Sequence, residues 1–82
     1  MPWYDFIWNP ETGGNVLHIA EHGISIEDAE AIVCSPIANG FSRTTGRPMA
    51  TGVTTDGRLV VVVYEFIDGV TVYVITAFEV DQ

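Results

Sequence analysis

Eighty-two residues, close to half of them apolar, suffice for a single small domain with a core of its own. Eleven carboxylates against three arginines and no lysine set the net charge at −8, which argues against RNA or DNA binding by clustered cations. No apolar run approaches the ~20 residues of a membrane span, nothing at the N-terminus reads as a signal peptide, and the single Cys34 excludes an internal disulfide, so a cytoplasmic protein with no membrane contact is expected.

Trp3 to Trp8 is aromatic and β-favouring, bounded by Pro2 and by Asn9-Pro10, and reads as a first strand. Alternation puts Tyr4, Phe6 and Trp8 on one face and Trp3, Asp5 and Ile7 on the other. Such aromatics can line a groove, but packing onto a sheet is the simpler expectation. Thr12-Gly13-Gly14 then forms a loop without the Lys or Ser/Thr of a phosphate cradle, and no cofactor is expected.

Asn15 suits the N-cap of a helix from Val16 to about His22, ended by Gly23. Val16, Ile19, Ala20 and Gly23 fall on one face, with Leu17 at its margin. His18 and His22, four apart, share another face. A pair so spaced can hold a metal, yet the chain has no third histidine and no second cysteine, so no metal site is expected. The alternative for His22 is a donor to the last carbonyls of the helix.

Ser25 opens a second helix, in capping-box fashion with Asp28. Glu27, Asp28 and Glu30 lie where the helix dipole favours negative charge. Ile26, Ala29, Ile32 and Val33 make the apolar stripe, and Pro36 forbids continuation. Cys34 is expected to be a small buried hydrophobe, because neither a base nor a pKa-lowering neighbour can be read beside it.

After Gly40 the pattern turns to strands. Phe41 to Thr45 and Pro48 to Thr54 read as a hairpin around Gly46, and Thr55-Asp56-Gly57 as the next turn. Arg58 to Val80 reads as a long ribbon folded at Asp68-Gly69, a pair suited to a two-residue type I′ turn. That turn would set Ile67 against Val70, Val63 against Val74, Leu59 against Phe78 and Tyr64 against Tyr73, with Val62 beside Ile75. Both faces of the ribbon are then apolar, so each needs a cover. The expected fold is α+β, with two short helices on one face of an antiparallel, meander-connected sheet in the order β-α-α-β-β-β-β.

In this order the chain resembles the BrnT-type toxins of bacterial toxin–antitoxin pairs, a branch with the RelE-like ribonuclease fold. The pieces that carry the resemblance are Phe6-Ile7-Trp8, Asn15-Val16, His22-Gly23-Ile24 and Ser25-Ile26-Glu27-Asp28-Ala29, followed by a proline-terminated second helix. They continue with Arg47 ahead of Thr51-Gly52, then Gly57-Arg58-Leu59-Val60-Val61-Val62 and Val74-Ile75-Thr76-Ala77. The resemblance implies a metal-independent RNA endonuclease, in which a ribose 2′-hydroxyl attacks the adjacent phosphate and basic residues stabilise the charge.

The departures fall on those basic residues. Glu21 stands where the family tends to have Lys, Phe78 where it has Arg, and the family's basic C-terminal segment is not seen up to Gln82. One lost donor typically costs ~10²–10³ in rate, and a carboxylate adds repulsion against a dianionic phosphorane. The expectation is a toxin-fold domain without nuclease activity that acts by associating with an antitoxin-like protein or with itself. The alternative is an mRNA interferase using His22, Arg43, Arg47 and Arg58, which would require His22 and at least two of the arginines to share one cleft.

Overall fold

The structure is a computed structural model that describes residues 4–80; Trp3 lies outside them. The fold is α+β, in the order β1 (Asp5–Ile7), α1 (Asn15–Glu21), α2 (Ile26–Cys34), β2 (Ala38–Phe41), β3 (Pro48–Val53), β4 (Leu59–Phe66) and β5 (Thr71–Glu79). The five strands form one sheet ordered β1-β5-β4-β3-β2. β2 to β5 make the expected antiparallel meander. β1 departs from it by pairing with β5 in parallel, Phe6 opposite Val72. The sheet is therefore mixed. The two helices between β1 and β2 let the chain cross over, which a hairpin connection could not do.

The ribbon corrects the expected register. Neither Asp68 nor Gly69 has positive φ, so the turn is not type I′. Instead Asp68 Oδ1 accepts from the amides of Val70 (2.9 Å) and Thr71 (2.8 Å), and the Ile67 amide donates to Thr71 O across a three-residue loop. A carboxylate that occupies those amides holds the chain open by one residue. Tyr64 consequently meets Val74, and Glu65 meets Tyr73. A second shift between Val63 and Tyr64 leaves Ile75 as an extra residue, so that Val63 meets Thr76 and Val62 meets Ala77. Tyr64 and Tyr73, expected opposite one another, end up on different faces.

Backbone amides hold the Asp68 carboxyl below the usual carboxylate range, Val70 foremost. A depressed folded-state pKa stabilises above the unfolded value of about 3.9 and loses that contribution as pH falls through the folded value. Asp68→Ala is therefore expected to lower the melting temperature at pH 7 and to shrink the drop between pH 5 and pH 2. Asp68→Asn, which keeps an acceptor, should retain the turn but show the same flattened acid limb in thermal melts.

The core lies between the helices and one side of the sheet. Ile19, Ile24, Ala29, Ile32 and Val33 meet Ala50, Val60, Val62, Tyr64, Val72, Val74 and Ala77. Tyr4, Phe6 and Trp8 pack against this cluster, as their alternation predicts, and the Trp8 indole donates to Glu30 (2.8 Å). Ser25 caps α2 by accepting from the Asp28 amide (3.1 Å). The Asp28 carboxylate does not complete a capping box, and takes the amide of Thr55 instead (3.2 Å). In α1 only Ile19 of the expected apolar face is fully buried, while Ala20 is exposed.

The first hairpin also differs. Its outer strand is Ala38–Phe41, and residues expected in it, Arg43 to Thr45, belong to the turn. Ser42 holds that turn, its hydroxyl facing Thr44 and its carbonyl accepting from Gly46. Among the described residues the opposite side of the sheet carries no helix. Val63 marks it, being only 9% exposed yet absent from the core cluster.

Candidate functional site

Asn15 is a buried polar anchor where a helix cap was expected. It is the first residue of α1, and the cap position belongs to Gly14 without a side-chain bond. The Asn15 amide donates to the carbonyls of Ile7 (2.9 Å) and Val74 (2.9 Å), and its Oδ1 accepts from the Asn9 amide (2.7 Å). Beyond Ile7 the strand β1 stops, so this one side chain stands in for the next rung between β1 and β5.

From that anchor α1 carries two histidines past the β5 edge. The His18 and His22 rings meet edge to face, 5.4 Å between centroids, and His18 Nε2 lies 2.9 Å from the Thr76 hydroxyl. Among the described residues no group of three or more His, Cys, Asp or Glu is placed to hold a metal ion. His22 is exposed at the helix end, where its amide bonds Ile19 O.

Arg58 reaches the same end of the molecule from the start of β4. Its Nη2 donates to Gly23 O (2.7 Å), its Nε to both carboxylate oxygens of Asp56 (3.1 and 3.0 Å), and Nη1 lies 3.5 Å from Glu79 Oε1. Gly23 has φ of +76°, and a β-carbon there would sit 3.2 Å from the guanidinium, so glycine serves both the helix end and this contact. The Thr54 hydroxyl also donates to Asp56. These bonds, Thr54 first and then Arg58, hold the Asp56 carboxyl below its usual value. The Asp56 bond in turn pushes the Arg58 guanidinium further up. Arg58 is thus a structural tie between the α1–α2 turn and the sheet, with its donors committed inside the molecule.

The other two arginines lie at the opposite end. Arg47 stands before β3, its Nε 4.0 Å from Glu65 Oε2 on the neighbouring strand, and Arg43 is exposed in the β2–β3 turn. The seven steps along the chain from Arg58 to Glu65, through β4, span roughly 23 Å at strand rise. His22 and Arg58 are therefore close together, whereas Arg43 and Arg47 are far from both.

The cavities follow the same division. A broad cleft of about 810 Å³ at the Arg47 end is lined by Tyr4, Phe41, Arg47, Tyr64, Glu65 and Phe66, among others. Burial pushes the Tyr64 hydroxyl up, so it stays protonated at neutral pH. A hollow of about 390 Å³ beside α1 is lined by Gly14, Asn15, His18, Tyr73, Ile75 and Thr76, with Gly13. Neither contains His22 or Arg58. Cys34 is half-buried, and burial foremost, then the Glu30 charge, raises its thiol. Both influences run opposite to the pKa lowering that activates a cysteine nucleophile.

Two features escaped the sequence reading, the Asn15 bridge and the commitment of Arg58. Asn15 looked like any helix cap, and only the early end of β1 gives its amide another task. Arg58 is separated from Gly23 by 35 positions, and no local spacing announces that contact. Among the described residues no helix is long and apolar enough to cross a membrane. Comparison with family models, with curated proteins and with solved structures finds no significant match to this chain.

Proposed function

We propose that this chain is a BrnT-like domain of RelE-like fold that no longer cleaves RNA and works by associating with protein. The observation that carries this reading is the division of the cations. Phosphoryl-transfer chemistry without a metal needs several donors converging on one developing dianion. Here Arg58 is spent on Gly23 O, Asp56 and Glu79, and Arg43 and Arg47 lie roughly a strand length away. Glu21, beside His22, adds a negative charge where added positive charge would be needed.

A second reading has one observation in its favour. The contact of Arg58 with Gly23 O brings a guanidinium next to His22, the kind of pair that could act as general acid and charge stabiliser. The two readings separate in a cleavage assay with a labelled single-stranded RNA in EDTA. The expected result is no cleavage above the blank, no growth arrest on induced expression, and no change in either with His22→Ala or Arg47→Ala. Metal-independent cleavage that falls ~10²-fold or more in His22→Ala or Arg58→Ala would establish the endoribonuclease instead.

A further inference from the structure

The two sides of the sheet carry opposite chemistry. Glu21, Glu27, Asp28 and Glu30 lie on the helices, while Glu11, Asp56 and Asp68 lie in loops and turns. On the side without helices, alternation places Ile7, Tyr73, Phe78, Val61, Val63 and Val53, interspersed with the uncharged Thr51, Thr71 and Thr76. Ile7, Phe78 and Val53 are 40%, 37% and 53% exposed. Among the described residues the carboxylates of that side are Asp5 at its corner and Glu65, which faces Arg47, while Glu79 lies opposite Val60 on the helix side.

We infer that this bare face is the interface of a two-fold homodimer, the sheets of two copies packed face to face. The inference rests on the association reading above and names the partner of one surface. The distribution of charge selects the occupant. Two molecules of net charge −8 repel one another in any approach that brings helix sides together. A cationic partner would be drawn to the helix side, where the carboxylates are. The nearly uncharged apolar face is complementary to a second copy of itself, as an isologous contact requires. Its size suits the role. Five strands at ~4.8 Å spacing and about six residues of strand length give roughly 480 Å² in projection. That is below the ~800 Å² per partner of a standard interface, the size of a small and dissociable dimer contact.

Sedimentation equilibrium of the pure protein from 1 to 300 µM tests this. The expected species has twice the 9.0 kDa mass of the chain and tightens between 20 and 500 mM NaCl, because salt screens the repulsion. Phe78→Lys and Ile7→Lys, both at already exposed positions, are expected to weaken the dimer more than tenfold with far-UV circular dichroism unchanged. Leu17→Lys on α1 should leave it intact. The competing surface is the free edge of β2. Pro48 has no N–H, so the Phe41–Pro48 pair is of the non-hydrogen-bonded type, and alternation turns the Asn39 amide outward.

A dimer that survives both lysine variants but dissolves in Asn39→Pro is an edge dimer and overturns the inference. A 9.0 kDa species throughout the concentration range overturns it as well. The RNA assay fails independently. A monomer that leaves RNA intact removes the dimer and spares the association reading, whereas a dimer that cleaves RNA does the reverse.

Discussion

Asn15→Ala is expected to lower the unfolding free energy by about 3 kcal/mol, and the melting temperature by roughly 12–24 °C. The side chain is 4% exposed and makes three hydrogen bonds, to Ile7 O, Val74 O and the Asn9 amide. A net ~1 kcal/mol for each gives the figure, and the groups left unpaired add their own desolvation cost. Alanine is otherwise a better helix former than asparagine, so propensity opposes the loss and cannot explain it. Urea denaturation followed by tryptophan fluorescence reads the effect, since Trp8 packs against the core that the bridge holds closed. A change below about 0.5 kcal/mol would mean that the amide contributes only as an ordinary first-turn residue.

Gly52→Ala is expected to cost about 1–3 kcal/mol by overpacking. A β-carbon there would lie 2.9 Å from Ile32 Cγ1 and 3.1 Å from Cγ2, and Ile32 is itself 2% exposed beneath α2. α2 therefore rests on β3 at the one position where the strand has no side chain. Ile32→Ala alone leaves a cavity and is expected to cost about 2–5 kcal/mol. In the double variant the new methyl group fills part of that cavity, so the combined loss should be smaller than the sum by about 1 kcal/mol or more. Additive losses in chemical denaturation would show that α2 moves off the sheet freely and that the contact is loose.

Much of the architecture could be read from local chemistry. The order of elements, the Ser25 cap, the α2 stripe and the aromatic face of β1 all depend on neighbours within a few positions, which is the range over which propensity and periodicity act. The register of the ribbon was misread because Asp68-Gly69 has two options. As a type I′ pair it closes a two-residue loop, and as a side-chain acceptor it opens one of three. The choice rests on the bonds from Val70 and Thr71. The parallel β1–β5 pairing was not legible, since no signal in Asp5–Ile7 distinguishes a neighbour 66 positions later from an adjacent hairpin. For the candidate site, residue types were legible and convergence was not. Arg43, Arg47 and Arg58 are candidates for one cleft only under the nuclease alternative, and β3 runs between Arg47 and Arg58 and sets them at opposite ends.

The parallel pairing of β1 also governs the order in which the molecule can assemble. During synthesis β1 must wait for β5 before it can pair, since β1 bonds β5 alone within the sheet. β2, β3 and β4 can zip together as they emerge, each onto its immediate predecessor. Until β5 joins, Tyr4, Phe6 and Trp8 have α2 as their cover, through contacts such as Trp8 with Glu30, and lack the sheet. Closure of this long-range pair completes the sheet.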